Sequence, residues 1–304
     1  MVWSGRVLAF VAVFFFGAAY FWAKSAMTWL PPFVASAARF GGAGLLLVPF
    51  AVWTARPWAA FRGSWRAYLA LGFVGITCFQ GFLFLAIKHT SVINVSVIMT
   101  LTPVLTALGA AAFLRESLTR RGIGGMTISV LGAMLAVLGD SPDGIGGLSL
   151  DAGELLALGG AMSFAFYTLA ARSMMPKDIP STVNTAIVLI IGAVFLLPPA
   201  VLSGPVGAPA SAGPVFGLAA LVLCSTFIAY LAWNRAIESI GVTEPNLLFN
   251  FIPIIVIALS ALQGDPPWPE QIIGALMVIG GVTWSMLFGG TAPARAGAEA
   301  PAAR

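Results

Sequence analysis

Ten apolar stretches, each about the length of a membrane-spanning helix, follow one another along almost the whole chain. Proline, glycine and charged residues separate them. A helix that crosses a bilayer needs about 20 mostly apolar residues. The pattern therefore predicts an all-α integral membrane protein with ten transmembrane helices, at residues 7–27, 33–54, 67–88, 92–114, 121–139, 153–173, 183–202, 214–237, 245–264 and 270–289.

The composition supports the bilayer as the solvent of this chain. Of its 304 residues 59% are hydrophobic and 9% are charged, with a mean hydropathy of +0.97. A soluble domain carries roughly a quarter charged residues and cannot bury this much apolar surface at this length. The first apolar run has no convincing cleavage site and is predicted to remain as the first span. Ten spans leave no room for a soluble catalytic domain.

The distribution of charge predicts the orientation of the chain. Cytoplasmic loops carry an excess of lysine and arginine. With ten spans and a cytoplasmic N-terminus, twelve of the fifteen basic residues fall on the inner side. The outer loops collect acidic residues, namely Asp140, Asp143, Asp151, Glu154, Asp265 and Glu270. Both termini are therefore expected to be cytoplasmic.

The two halves of the chain resemble each other. Residues 80–103 match residues 230–253 at an offset of 150, and a later stretch matches at 149, pairing Gly125 with Gly274 and Gly132 with Gly281. Because each half has five spans, an odd number, the second half must enter the membrane from the opposite side. We expect two inverted five-helix repeats, at 1–140 and 150–290, followed by a disordered cytoplasmic tail at 291–304.

Two matched prolines mark the first candidate positions for function. Pro103 and Pro253 fall inside spans four and nine, where a proline frees the carbonyl four residues earlier, here that of Met99 or Phe249. A tolerated kink is one interpretation. The recurrence in both halves favours the other, which is a hinge or the lining of a cavity.

Aromatic and polar side chains in several spans are candidates for a substrate cavity. Small-molecule sites are mostly apolar with a few polar groups, although ordinary packing would also account for many of these residues. The cavity candidates are Gln80, Phe84, Met99, Thr100, Met162, Ser163, Phe166, Tyr167, Tyr230, Trp233, Asn234, Asn246, Phe249 and Asn250.

Arg39 lies a few residues inside span two, where an unpaired charge is costly. Two roles remain open for it: binding a substrate carboxylate, or pairing with a structural partner. No Asp or Glu lies near the middle of a span, which disfavours a dedicated site for organic cations. The sequence offers no cofactor or metal motif, and Cys78 and Cys224 are expected to be core residues. Glycines such as Gly125, Gly132 and Gly281 are expected to be close helix contacts.

Several motifs together resemble a known family. They are Phe16-Gly17 with Lys24, Ala38-Arg39-Phe40, the run from Ala86 to Pro103, and the run from Phe113 to Thr119 leading to Gly125 and Gly132. They resemble the drug/metabolite transporter superfamily in its ten-helix EamA-type form, most closely the bacterial aromatic amino acid exporters. The second half departs from the pattern at Asp265, where the family often has Glu.

The resemblance implies a central cavity walled by spans 1, 3, 4, 6, 8 and 9, and alternating access by rocking of the two repeats. It implies a secondary transporter in the bacterial inner membrane that exports amino acids, with a broad range that includes aromatic ones. Export of drugs or other small metabolites is the alternative, and a membrane enzyme or scaffold is a third class. The expected partners are a small-molecule substrate and the lipid bilayer, with no nucleic acid; a bundle of this size could work as a monomer.

Overall fold

The computed structural model describes residues 2–54, 57–115, 118–138, 151–241 and 243–288, and within these ranges all regular structure is helical. The helices are α1 (Val2–Ala26), α2 (Pro32–Thr54), α3 (Pro57–Gly72), α4 (Phe79–His89), α5 (Val92–Met99), α6 (Thr102–Leu114), α7 (Arg120–Leu138), α8 (Ala152–Met174), α9 (Ser181–Leu202), α10 (Ala212–Val222), α11 (Ala229–Ile240), α12 (Thr243–Phe249), α13 (Ile252–Leu262) and α14 (Pro269–Phe288).

The prediction of an all-helical membrane protein is confirmed for the described residues. Eight helical stretches of the described residues, some of them broken or kinked, are long and apolar enough to cross a bilayer, and the stretch at Leu247–Leu262 is apolar but shorter. The count of ten spans and the cytoplasmic placement of the termini stay predictions. The expected tail at 291–304, and the acidic residues Asp140 and Asp143, lie outside the described residues.

Two short π-helical segments occupy matched positions in the two halves. Residues Phe73–Cys78 join α3 to α4, and residues Leu223–Ile228 join α10 to α11, so their starts, 73 and 223, are 150 residues apart. They extend the helical stretches to Pro57–His89 and Ala212–Ile240, longer than the predicted spans at 67–88 and 214–237. The first stretch is kinked at Ser64, whose backbone angles are not helical. A π turn leaves a helix locally wider and is often found at functional sites.

The two prolines do not lie inside continuous α-helices, which corrects the sequence-based expectation. A break at residues 100–101 separates α5 from α6, and a break at 250–251 separates α12 from α13. Pro103 and Pro253 each stand in the first turn of the following helix, where the missing N–H costs nothing. The hydroxyl of Thr102 donates to the carbonyl of Met99 at 2.7 Å, so the carbonyl that Pro103 leaves free is satisfied there.

Glycines bring α7 and α14 into backbone contact. A Cβ atom at Gly281 would lie 2.5 Å from the carbonyl oxygen of Gly125, and one at Gly132 would lie 2.7 Å from that of Gly274. The pairing of an early residue of one helix with a late residue of the other shows that the two helices are antiparallel. The expectation of close helix contacts at these glycines is confirmed.

Helices α2 and α9, the second of each half, also pack antiparallel. Gly41 lies against Ala193, and Gly44 lies against Ile190. Their shared core contains Phe40 and Leu189, both fully buried. Corresponding helices of the two halves therefore run in opposite directions at two separate contacts.

An ion pair joins the first helix of the chain to α12. The Nε and an Nη atom of Arg6 donate to the Glu244 carboxylate at 2.8 and 3.1 Å, and both side chains are almost half exposed. The hydrogen bond from Arg6 lowers the pKa of Glu244 below its ordinary value of 4.5. Because the folded-state pKa is lowered, the pair contributes stability above pH 4.5, and this contribution is lost as the pH falls through the folded-state value.

We therefore expect Glu244→Gln to lower the melting temperature slightly at neutral pH, since an exposed pair contributes little. The difference between the two proteins should disappear as the pH falls through the lowered folded-state pKa of Glu244. Thermal unfolding in detergent at a series of pH values measures it. A difference that persists unchanged at low pH would show that the pair does not act through its charges.

Candidate functional site

An aromatic cluster forms around Phe16 on α1. Its ring centre lies 5.7 Å from that of Tyr230, 5.9 Å from that of Trp233 and 5.8 Å from that of Phe249. Trp233 and Phe249 are also in contact, at 5.6 Å. Tyr230 and Trp233 belong to α11, and Phe249 is the last residue of α12. All four rings are partly buried, so the cluster retains accessible apolar surface beside the helix break at residues 250–251.

Arg39 lies buried on α2, close to this aromatic cluster. Only 5% of the residue is exposed, and its Nε atom donates to the hydroxyl of Thr226 at 2.9 Å. Tyr20 and Tyr230 lie within electrostatic range of its guanidinium group. Within the part of the chain that the structure describes, no carboxylate forms an ion pair with Arg39. The buried positive charge of Arg39 is therefore surrounded by uncharged hydroxyl groups: it donates a hydrogen bond to that of Thr226, and those of Tyr20 and Tyr230 lie nearby.

Thr226 owes its position to the second π segment. Its hydroxyl donates to the carbonyl of Leu221 at 2.9 Å while it accepts from Arg39. A threonine side chain in a helix reaches back four residues at most in regular α geometry, and here the contact spans five because the segment is wider. The π turn thus orients the hydroxyl that holds the arginine.

A second group of candidates lies between α4, α5 and α8. Gln80 and Phe84 are both buried on one face of α4, as their spacing predicts. The sulfur of Met99 approaches Gly160. On α8, the Ser163 hydroxyl donates to the carbonyl of Val74 at 3.3 Å, and the Tyr167 ring lies against Gly75 of the first π segment. The Gln80 Oε1 atom is buried and has no hydrogen-bond partner among the residues that the structure describes.

The remaining candidates divide into buried and exposed positions. Asn250 is buried and donates to the sulfur of Met286 at 3.5 Å, while Asn234 is partly buried. Thr100 is buried and donates to the carbonyl of Ser96 at 2.9 Å. The side chain of Asn246 lies outside the described part of the structure.

Met162 and Phe166 are not brought together with the other candidates. They are 57% and 54% exposed and share one outward stripe of α8 with Leu155. The buried face of the same helix carries small residues such as Ala157 and Ala161. Because apolar stripes of this kind face lipid in a membrane protein, packing against lipid accounts for both residues.

Four residues at these sites were not predicted as site residues. Phe16 was named from the sequence only as part of the family resemblance, and Tyr20 and Thr226 were not named as candidates. Phe16 and Tyr20 share one face of α1 at the spacing i, i+4, which was a usable signal. Glu154 was expected in an outer loop; this is wrong, because it lies in the first turn of α8 and is 6% exposed.

A surface groove of 310 Å³ lies elsewhere, between α3 and the segment that precedes α9. Its lining includes Ser64, Pro176 and Asp178, and none of the predicted site residues belongs to it. The groove lies close to the hydrogen bond from the Tyr68 hydroxyl to Asn184. We assign it to the packing of α3 against the segment that precedes α9.

The long apolar helices and the matched π segments of the two halves define a multi-pass membrane protein with an internal repeat. The comparison with known families agrees. The model of the EamA-like transporter family matches residues 3–138 and again residues 151–287. The chain belongs to the EamA-like transporter family.

Relatives extend over most of the chain. It is 30% identical over 277 residues to the "Uncharacterized transporter YyaM" of Bacillus subtilis (strain 168), covering 88% of each chain. It is 26% identical over 217 residues to the "Probable terminal-alkyne amino-acid exporter" of Streptantibioticus cattleyicolor, covering 69% of each. A solved crystal structure with 20% identity superimposes with a TM-score of 0.68, covering 93% of this chain and 96% of the other, which shows a shared fold.

Proposed function

We propose that the protein exports amino acids across the bacterial inner membrane, with a broad range that includes aromatic ones. The buried Arg39 carries this proposal. A guanidinium group without a carboxylate partner is costly at membrane depth, and a ligand carboxylate that binds in fork geometry would compensate the charge. The alternative, that Arg39 is only a structural residue, is less favoured because its observed side-chain partners are uncharged, namely the hydroxyl of Thr226 and the ring of Phe40, whose centre lies 4.8 Å from the guanidinium carbon.

The surroundings of Arg39 fit the rest of an amino acid. The partly buried rings of Phe16, Trp233 and Phe249 offer an apolar surface for the substrate side chain. In the second group of candidates, between α4, α5 and α8, the Gln80 Oε1 atom has no hydrogen-bond partner among the described residues, and we propose it as an acceptor for the substrate ammonium group. The amino-acid exporter of Streptantibioticus cattleyicolor named above is a relative consistent with this substrate class.

The proposed mechanism is alternating access between two inverted five-helix repeats with cytoplasmic termini. It is supported by the two segments that match the family model, 3–138 and 151–287, by the π segments 150 residues apart, and by the antiparallel packing of α7 with α14 and of α2 with α9. Inverted repeats that open in turn to each side are a common design of secondary transporters. The breaks before Pro103 and Pro253 are the proposed hinges.

Solute counterflow into proteoliposomes tests the function. Vesicles loaded with an unlabelled amino acid should take up the same labelled amino acid transiently, with phenylalanine, threonine and methionine in the panel and protein-free vesicles as the control. Flux of drugs alone would support the alternative substrate class. If no amino acid, drug or other metabolite in the panel shows flux, the transporter proposal is overturned in both forms.

We expect Trp233→Ala to lower phenylalanine counterflow by about ten-fold or more, because a stacked aromatic pair and its buried area contribute roughly 1.5–3 kcal/mol and 1.4 kcal/mol is a factor of ten. Trp284→Ala is the matched control: Trp284 is 49% exposed on α14 and stacks only on Phe288. Equal flux in the two variants would assign Trp233 to packing.

A further inference from the structure

Tryptophan and arginine side chains lie together on the outer surface of the molecule at the start of α3. Trp58 is 68% exposed and Trp65 is 46% exposed, and Arg62 and Arg66 are exposed as well. Spacings of four and three residues place Trp58, Arg62 and Trp65 on one side of a helix. The buried side of α3, which includes Tyr68, packs on α9. We call Trp58, Arg62, Trp65 and Arg66 the Trp-Arg face.

The length of the helical stretch places this face at the membrane surface. The stretch Pro57–His89 has 33 residues, and a helix of that length is about 50 Å long. The hydrocarbon core of a bilayer is about 30 Å thick, and the apolar run at 67–88 is sufficient to cross it. Residues 57–66 therefore extend into the headgroup layer, on the side that the charge distribution predicts to be cytoplasmic. The kink at Ser64 allows this part to run at an angle to the span.

Within the described part of the protein, the charges of the Trp-Arg face have no acidic partner. Neither Arg62 nor Arg66 forms an ion pair there. The guanidinium carbon of Arg66 lies 5.2 Å from the centre of the Trp65 ring, a cation–π contact that restrains the side chain. The N–H groups of a guanidinium lie in its own plane, so a ring stacked on it leaves them available. Arginine binds phosphate through these groups in fork geometry.

The repeated fold does not require this face. The two π segments begin 150 residues apart, so Arg62 corresponds to Ala212 at the start of α10. Arg66 likewise corresponds to Phe216. These positions carry no charge, and they belong to the opposite, predicted outer side of the molecule. The second half thus forms its long helical stretch without arginine at either position, and the arginines of the first half need another explanation.

Other exposed arginines on the same predicted side lack aromatic neighbours of this kind. Arg120 and Arg121 begin α7 and are both exposed, but α7 contains no tryptophan. The general excess of basic residues on the cytoplasmic side accounts for such a pair. It does not account for two tryptophans that share a face with the arginines. An indole ring has an apolar body and a polar N–H group, and it prefers the interface between headgroups and acyl chains.

We propose that the Trp-Arg face binds an anionic phospholipid, such as phosphatidylglycerol, in the leaflet at this end of the molecule. Arg62 and Arg66 bind the lipid phosphate, and the rings of Trp58 and Trp65 pack beside the upper part of the acyl chains. Basic residues next to a span attract anionic lipids. In phosphatidylcholine the positive choline group lies close to the phosphate and weakens this attraction. The inference is independent of the transported substrate.

Native mass spectrometry of the full chain in detergent tests the proposal, with phosphatidylglycerol and phosphatidylcholine of the same acyl chains as probes. A basic residue near the surface strengthens the binding of an anionic lipid about five-fold. The unmodified protein should therefore bind its first phosphatidylglycerol about 25-fold more tightly than phosphatidylcholine. Arg62→Gln/Arg66→Gln should bind the two lipids almost equally. Arg120→Gln/Arg121→Gln, which removes the same charge from the same predicted side, should keep the preference.

Three results of this comparison would overturn the proposal. The first is an unmodified protein without preference for phosphatidylglycerol, and the second is a preference that survives in Arg62→Gln/Arg66→Gln. The third is an equal loss of preference in the two double variants, which would assign it to the general charge of this side.

A tryptophan variant tests the face without changing its charge, and so remains informative if the arginine variant is unstable. Trp58→Ala should weaken the binding of both lipids to the same extent and keep the preference between them. Unchanged binding of both lipids would contradict the proposed site. Inorganic phosphate added in excess should not displace phosphatidylglycerol, because it lacks the acyl chains; complete displacement would show a site for free anions instead of a lipid.

Discussion

Replacing Gly281 by leucine should prevent the protein from reaching its folded state. A Cβ atom at this position would lie 2.5 Å from the Gly125 carbonyl oxygen and 2.7 Å from the Ser129 backbone nitrogen. Neither atom belongs to a flexible side chain, so α7 and α14 would have to separate along their whole contact. Overpacking a core by a few methylene groups costs about 1–3 kcal/mol, and a clash with backbone should exceed this range.

Gly280→Leu is the matched control. Among the described residues, no atom outside its own helix lies within 4 Å of a Cβ atom at Gly280, so the same leucine would face outward. The alanine variants give a second comparison. Gly281→Ala should lower the melting temperature. Gly280→Ala should leave it unchanged or raise it, because alanine favours a helix by about 1 kcal/mol relative to glycine. Size-exclusion chromatography and thermal unfolding in detergent measure both pairs. Equal stability of Gly280→Leu and Gly281→Leu would disprove the antiparallel glycine contact.

The second large effect is expected at Arg39. Arg39→Gln should weaken amino-acid transport by about 10- to 100-fold at low substrate concentration, because a hydrogen bond to a charged group contributes about 1.5–3 kcal/mol. The loss should be much smaller for amino-acid esters, which lack the carboxylate. Counterflow with phenylalanine and its methyl ester, in the unmodified and variant proteins, gives the comparison.

Thr226→Val serves as the control for the position of Arg39. It removes the hydroxyl that accepts from Nε and keeps the charge, so it should weaken transport less than Arg39→Gln does. If the Arg39→Gln protein folds and its transport of phenylalanine and of the ester is reduced equally, Arg39 has a structural role and does not bind the substrate carboxylate.

The hydrophobic pattern was sufficient to predict the helices but not their interior geometry. Predicted spans such as 153–173 and 183–202 agree closely with α8 and α9. The π segments at 73–78 and 223–228 were not predicted, because a wider π turn leaves the apolar pattern of a helix almost unchanged. The prolines at 103 and 253 indicated irregular backbone correctly, but the break itself lies just before each proline, at residues 100–101 and 250–251.

The candidate site was predicted only in part, since a sequence does not show which face of a helix meets which neighbour. Tyr230, Trp233 and Phe249 all contact Phe16. Phe16 itself is an ordinary apolar residue of a span, and nothing in its local sequence marked it as a site residue. Met162 and Phe166 shared the composition of the buried candidates and differ only in the direction they face on α8.

Glu154 was missed for a different reason. The predicted span 153–173 contains it, and its spacing of three residues from Asp151 is that of a helix capping box. It was nevertheless counted with the acidic outer loop, because Asp143 and Asp151 lie close to it in the sequence. Its burial depends on Thr90 and Asn94, which lie 64 and 60 residues away.

Binding of phenylalanine to the purified protein in detergent tests the central claim most directly, because it does not depend on coupling or on the direction of transport. A ligand that binds the folded state raises the melting temperature. We expect phenylalanine to raise it in the unmodified protein and to have little effect in Arg39→Gln, with its methyl ester ineffective in both. An equal shift by phenylalanine in the two proteins, or an equal shift by the ester and the free acid, would contradict a substrate site built on Arg39.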